Sequence, residues 1–572
     1  MKDRGFLGLL RPVVLVTVLI FGLPPALAGA QPVAAPTAAV IQPTMQLEIP
    51  PPQLRTWQEM KAAAALEAAG PPPPPRVIPF RPTMDAAAYR QLKATAARNL
   101  APQAPAAPGI TALAPLAPTV LSNTVNFEGV QYGNGPGQAG LFIPPDTEGA
   151  VGLNHFVEIV NTHLDIYEKA APNNHVSGVD LNSFFGYTKP TWPNATSMFD
   201  PRVIFDAVSR RWIMSADAFA ETAATQWFFF AVSQTADPTG AFFIYQVNVS
   251  DGFGVANDVE WDFPQVGLDQ HAVIFTANFF NKAGAFVDAR MFTVAKSLLY
   301  NGPGTTLTPT MFTGLAKVPP ATLSAPIVLD ANPNTYLVAA PSSGSQVTIY
   351  TLTNSAGNPP LLSGPAFIPV SPYSVPPNIA QFGTTATLDP SDGRFVNAGT
   401  QIGNSLFQVH SIASGGFARC RFYEFDTVNK QVIQSGNFGR SSTSYDFNAS
   451  IAANRHKDVF VTWSATDPTN NANAEVRFSG RLHTDPTSVI PSPGSLLAGG
   501  TSATFYNVAA DPQRWGDYSA VTLDPADPSG ATAWIVNEKI LTNTTWGTRI
   551  GSIRLPVKTP LPFVDLLLLL GD

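Results

Sequence analysis

Apolar and polar residues alternate in short runs along most of this chain, and the runs come in pairs joined by Asp, Pro, Gly or Asn turns. The clearest pair is Ala520-Val521-Thr522-Leu523, closed by Asp524-Pro525, and Ala533-Trp534-Ile535-Val536-Asn537-Glu538. Alternation with period two between turn residues predicts a half-buried β-hairpin. The plan recurs in 149–152 with 155–160, 200–206 with 211–215, 262–269 with 272–276, and 448–452 with 458–462. Less regular copies are 326–330 with 335–338 and 385–389 with 394–396. Hairpins recurring every roughly 50 to 70 residues imply a repeat fold, and for all-β units of this size a radial closure. Further strands at 227–233 and 242–247, joined by Asp237-Pro238-Thr239-Gly240, and at 346–350, 421–425 and 549–554, would form the outer halves of the repeats. The prediction is an all-β, six- or seven-bladed β-propeller, seven preferred, over residues 121–556, with strands near Val125 closing onto the last blade.

The flanks differ in pattern. Lys2 and Arg4 precede an apolar run, 13–23, and small residues at Ala28-Gly29-Ala30, which reads as a signal peptide over 1–30. The run is shorter than the ~20 residues a membrane span needs. Residues 31–120 are rich in Pro and Ala and include the polyproline stretch 71–75. They predict a semi-rigid, partly helical stalk, with short helices at 55–69 and 84–99, the second capped by Thr83. Residues 557–572 form a Leu-rich tail, read as a docked segment or, alternatively, an attachment signal.

Composition then narrows the function classes. Of 572 residues, 45% are hydrophobic and 13% charged, so the chain can bury a large core. A net charge of -7 without a basic stripe excludes a nucleic-acid partner. The lone Cys420 forms no intramolecular disulfide and reads as a strand thiol. The reading is a monomer, secreted, periplasmic or at the cell surface, with no membrane span after signal cleavage.

Two sets of acids carry different expectations. Asp206, Asp269, Asp330, Asp389 and Asp524 follow the first strand of their hairpins, where an Asp caps turn amides. Asp146, Asp200, Asp262, Asp446 and Asp517 precede or open the first strand, and in a propeller they would converge on one mouth of the channel as a metal site, calcium being the possible ion. The alternative for them is bonding to backbone amides of the next blade. Arg202, Arg440 and Arg514 lie beside those positions and suit a carboxylate-bearing ligand, or else pair with the acids. Tyr518 with Glu538, and Asp200 or Asp262 as acid, are the candidates for glycoside cleavage. The loop 467–473 is either a calcium loop or a solvated turn, and His155 and His163 read as strand residues.

Two motifs, Pro144-Pro145-Asp146-Thr147-Glu148-Gly149-Ala150-Val151-Gly152 with Asn154-His155-Phe156-Val157, and Arg514-Trp515-Gly516-Asp517-Tyr518-Ser519, resemble those of secreted bacterial proteins of unknown function with a sialidase-like propeller. The resemblance spans about 123–555 and implies a secreted propeller, with no reaction attached. The intact Ser-x-Asp-x-Gly-x-x-Trp box of true sialidases is not present. The function expected is binding of a glycan or an extracellular protein partner at the channel mouth. A sialidase-like glycoside hydrolase or lyase at the same face and a structural envelope component are the alternatives.

Overall fold

The computed structural model describes residues 39–67, 76–100, 122–133, 142–170, 175–189, 191–193, 195–218, 226–249, 259–281, 283–500, 504–508 and 511–556. The stretch read as a signal peptide, the polyproline stretch and the Leu-rich tail lie outside them. The chain is a β-propeller. Its described strands form successive antiparallel units of four, numbered here I to VII along the chain. Unit I comprises Glu148–Val151, His155–Val160, His163–Glu168 and His175–Asp180. Unit II comprises Met198–Asp206, Arg211–Ala218, Trp227–Ser233 and Ala241–Asn248, and unit III Val259–Leu268, Ala272–Asn281, Phe286–Ala295 and Thr310–Leu315. Unit IV is Ala321–Ser324, Asn334–Pro341, Gly344–Thr353 and Leu361–Tyr373, and unit V Thr400–Ile402, Ser405–Ser414, Phe417–Asp426 and Gln431–Phe438. Unit VI is Tyr445–Ala453, Val459–Asp467, Ala472–Arg481 and Ser495–Gly500. Unit VII takes Ala520–Leu523, Thr532–Thr542 and Thr545–Arg554 from the end of the chain and Ser122–Gln131 from its start, with Val125 opposite Ser552.

Two of the irregular hairpins are paired differently from the sequence reading. Ile327–Val328 leaves unit IV and runs parallel to both Leu268 and Thr400–Gln401, so Ala321–Ser324 takes the inner place against 338–341. Leu388–Asp389 pairs in parallel with Gln513–Arg514, and 394–396 is not a strand. Both stretches are short and interrupted by Pro, which leaves their partners to tertiary context.

The N-terminal stretch is not a free spacer where it is described. Val40–Ile41, Met45–Gln46 and Gln53–Thr56 add to the outer edges of units IV, III and II. Edge strands expose unpaired amides, and this belt covers them. The helices span Trp57–Glu67 and Ala86–Arg98; Asp85, not Thr83, caps the second by accepting from Ala87 and Ala88.

The core lies between the units. Phe228, Phe230, Tyr245, Trp261, Phe275 and Phe292 pack units II and III together. Trp463 and Phe438 join units V and VI. Cys420 is fully buried there, and burial pushes its thiol up, as a structural strand residue requires. Among the described residues no helix is long and apolar enough to cross a membrane.

Candidate functional site

The inner strands of units II, III and VI start with the same device. The register breaks between Phe199 and Arg202, Asp262 and Gln265, and Phe447 and Ser450. In each break one residue takes a positive φ: Asp200 at 49°, Phe263 at 55° and Asn448 at 47°. Asp146 at 48° does the same ahead of unit I, and Gly393 at 79° ahead of Arg394. Asp and Asn tolerate this region; a Phe there is strained, which marks Phe263 as a residue fixed by its surroundings. The bulges direct these residues and their neighbours to one end of the channel.

The acids there act first as staples between units. Asp146 is fully buried; its Oδ1 accepts from the Asp517 amide at 2.7 Å and its Oδ2 from Asn161 at 2.7 Å. Asp200 Oδ2 accepts from the Phe263 amide at 3.1 Å, while Asn161 Oδ1 accepts from the Asp200 amide. Asp517 is gripped bidentately by Arg514, at 2.8 and 3.1 Å. These are the amide-bonded and arginine-paired arrangements weighed above as alternatives to a metal site. Among the described residues no three His, Cys, Asp or Glu side chains form a group that could hold a metal ion.

Crowding nevertheless leaves a charge imprint. Burial, then the charge of Asp517, raises Asp146 to about 7. Burial, then Asp262, Asp146 and Asp517, holds Asp200 far above the usual carboxylate range. Burial would lower Arg514, but Asp517 more than offsets it. Asp217, on the second strand of unit II, is fully buried, and burial, then the charge of Asp200, raises it far above the usual carboxylate range.

Below the acids lies an aromatic and cationic layer. Tyr518 and Phe263 meet edge to face at 5.0 Å, and the Arg202 guanidinium lies 3.5 Å from the Tyr518 ring centroid. Arg202 seals the channel: it donates to Glu148 at 2.9 Å, Asn397 at 2.7 Å and the carbonyls of Pro264 and Val396. Its ligand-binding role as read from sequence is therefore taken by internal partners. The cavity beyond it, lined by Glu148, Gln265, Asn397 and Ser450, measures about 60 Å³.

Above the acids, residues 76–83 cross the mouth. Arg76–Val77 pairs in parallel with Phe142–Ile143, and the Ile78 amide donates to Ile143 O at 2.8 Å. Arg514 donates to Ile78 O at 2.9 Å and Arg394 to Arg81 O at 2.8 Å. The Phe80 ring sits against both guanidiniums, at 5.5 Å from Arg514 and 4.8 Å from Arg394, whose other side faces Phe263 at 4.4 Å. Arg81 reaches Asp262 at 3.3 Å and Glu260 at 3.0 Å, and Thr83 donates to Asp392. Lys93 of the following helix pairs with Asp389 at 2.8 Å.

The mouth thus gathers Asp146, Asp200, Asp262, Asp517, Arg202, Arg514 and Tyr518. Glu538 lies alongside, its Oε2 accepting from the Gly516 amide and its Oε1 without a partner. Tyr518 is buried with a free hydroxyl, and burial, then Asp200, pushes it well up, the direction that opposes a phenolate nucleophile. Asp446 and Arg440 do not join it. Asp446 is bound by Arg419, Ser444 and Trp463, and Arg440 by Asp467 and Glu475. Arg440 and the Arg419 that binds Asp446 line a separate cavity of about 650 Å³ between units V and VI. Asp467 is held by an arginine and three hydroxyl or amide donors, while Thr469, Asn470 and Asn471 of its loop are exposed, as a solvated turn requires.

Four of the turn acids cap amides of their own turns as expected: Asp206 accepts from Val208 and Ser209, Asp269 from His271 and Ala272, Asp389 from Ser391, Asp524 from Ala526; Asp330 instead accepts from the Gly403 amide of unit V. Sequence reasoning missed Phe80, Arg81, Phe263 and Arg394. The repeated residue-Pro step in Asp200-Pro201-Arg202 and Phe263-Pro264-Gln265 was the available signal for the third.

No protein-family model matches the chain, and no curated protein matches it. Solved structures that it resembles include a Trypanosoma rangeli sialidase in complex with sialic acid, at 12% identity and a TM-score of 0.33, covering 65% of this chain and 55% of that one. The β-propeller domain of the Pyrococcus furiosus Trilobed protease follows at 10% identity and a TM-score of 0.26, covering 50% and 65%. A Penicillium chrysogenum α-L-arabinanase complexed with arabinobiose has 10% identity and a TM-score of 0.32, covering 63% and 93%. The chain spans about half the length of the sialidase. Identities and scores at this level bear on neither ligand nor reaction.

Proposed function

We propose that this is an exported, monomeric propeller whose work is binding, and that its mouth engages a glycan or a segment of an extracellular protein. One observation carries the reading. The mouth's guanidiniums and carboxylates hold an extended chain, with Arg514 and Arg394 on its carbonyls, an aromatic ring between them, and Asp262 on its cation. Oxygen acceptors for arginine are contacts that an extended polymer of either kind offers, and an aromatic ring on the guanidinium is one that a peptide adds. The test is a glycan and peptide array probed with the full chain and with Phe80→Ala/Arg81→Ala, in which residues 76–83 hold less firmly. Ligands retained by that variant and lost on adding Arg514→Gln support the mouth; signals indifferent to Arg514 move the function elsewhere on the surface, and no ligand at all favours a structural envelope role.

Glycoside cleavage is the second reading, because burial and the neighbouring acids raise Asp200, the direction a general acid requires. Turnover of aryl glycosides by the same variant, abolished by Asp200→Asn, would establish it. Calcium is the cation to test against these acids. Binding heat after chelation that disappears in Asp200→Asn/Asp517→Asn would assign an ion to the mouth.

A further inference from the structure

The ligand class can be narrowed, on the reading that the mouth is the binding site. We infer that residues 78–83 are a releasable occupant of a preformed peptide site, and that the site takes in trans an extended protein segment with an aromatic residue followed by arginine.

The site is built without the segment. Arg394 is fixed by Asp392 through Nε at 2.7 Å and Nη2 at 2.8 Å, and Arg514 by Asp517, each partner only two or three residues away in the same loop. Both guanidiniums therefore keep their orientation whether or not a chain lies on them. Their remaining donors, Arg394 Nη2 and Arg514 Nε, meet the carbonyls of Arg81 and Ile78, so the main chain is read at two points three residues apart. Two adjacent side chains are read beside those points, one for shape and one for charge. Phe80 sits against the two guanidiniums, and Arg81 turns to Asp262 and Glu260. Main-chain hydrogen bonds combined with side-chain pockets are how extended peptides are recognised. A neutral glycan strand offers neither an aromatic ring for the guanidiniums nor a cation for the Asp262 and Glu260 pair.

The hold of the segment is local. Its backbone joins the propeller through a two-residue parallel bridge and a few single bonds, and Val77 remains 45% exposed. At the same mouth the Tyr518 hydroxyl and Glu538 Oε1 are buried without partners. A tethered segment competes at an effective concentration of about millimolar, so a free peptide at micromolar concentration meets a closed mouth in the unaltered chain.

The experiment is fluorescence anisotropy with a labelled peptide of residues 76–84, titrated with the full chain and with Phe80→Ala/Arg81→Ala. Binding to the variant about tenfold or more tighter than to the unaltered chain is expected, with the peptide forms carrying Phe80→Ala or Arg81→Glu each weakened by about tenfold or more. These peptide changes leave the protein untouched, so loss of binding cannot come from misfolding. Equal affinity for all three peptides, or no binding to the variant, overturns the inference. If the variant then still takes array ligands in an Arg514-dependent manner, the mouth remains the binding site and only the peptide assignment fails; if it takes none, both fail. Dimers of the unaltered chain that exchange this segment between copies would support the site and identify a second copy as its partner.

Discussion

Replacing Arg202 by Met should destabilise the propeller more at mildly alkaline than at acid pH. Arg202 is 4% exposed and contacts units I, III and VII and the 396–397 stretch through Glu148, Pro264, Tyr518, Val396 and Asn397. Met preserves length and apolar contact with the Tyr518 ring but removes the charge and every donor. Removing one partner of a buried ion pair costs about 3–5 kcal/mol, because the other charge is stranded. Glu148 would be that charge, and burial already raises it to about 7 even with Arg202 beside it. Its folded value therefore lies above its unfolded one. Below the unfolded value the carboxyl is neutral in both states, and the substitution removes only hydrogen bonds to carbonyls and amides, about 1 kcal/mol each. As pH rises through 7, the full penalty of the stranded carboxylate appears. Urea unfolding of the two chains at about pH 5 and about pH 8 measures this, with a loss of about 2 kcal/mol expected at the first and about 4 at the second. Adding Glu148→Gln should erase the pH dependence. A loss below about 1 kcal/mol at both values, or one that is larger in acid, would refute the reasoning.

Other outcomes follow from the same groups. The unaltered chain should melt higher in mild acid: Asp146, Glu148 and Glu158 are each raised to about 7, so their contribution is complete below the unfolded values and falls as pH rises through 7. Scanning calorimetry should show a melting temperature several degrees higher near pH 5 than near pH 8, and equal values would contradict it. Asn161→Ala removes donors to Asp146 and Pro144 O and the acceptor of the Asp200 amide, and should cost about 2–4 kcal/mol in urea unfolding. Gly129→Ala would place a Cβ 2.3 Å from Thr548 Oγ1 and 2.4 Å from a Glu158 oxygen, so the closing strand should detach and thermal stability drop by about 3 kcal/mol or more. Wild-type stability in that variant would disprove the tight approach.

Hairpins such as Asp200–Asp206 with its return strand or Ala520–Leu523 with Thr532–Thr542 were legible because apolar, β-branched and aromatic runs closed by Asp turns fix a hairpin, although the strands prove buried on both faces. The closing strand at Val125 was legible for the same reason. Ile327–Val328 and Leu388–Asp389 were not, since a two-residue strand next to a proline specifies no partner. The acids of the mouth were visible as a recurring position, but their use was not. Whether Asp146 meets a metal or the Asp517 amide depends on a bulge whose φ no alternation reveals. Asp446 and Arg440 shared the pattern and went elsewhere because Arg419 on a strand of unit V and Asp467 at the end of a strand of unit VI stand close at hand. The residues over the mouth were hidden by composition. Phe80 and Arg81 lie in a Pro- and Ala-rich stretch that reads as spacer, and their meaning comes from partners some 180 to 430 positions away, at Asp262 and Arg514.

The central claim is that the mouth is a binding site whose present occupant can leave. Hydrogen–deuterium exchange of the full chain tests it directly. The amides of 76–83 should open at a lower free energy than the inner strands Met198–Asp206 and Tyr445–Ala453, and excess peptide of residues 76–84 should speed their exchange by displacing them. Amides of 76–83 that exchange as slowly as those strands, and that ignore the peptide, would make the segment a permanent part of the fold and contradict the claim.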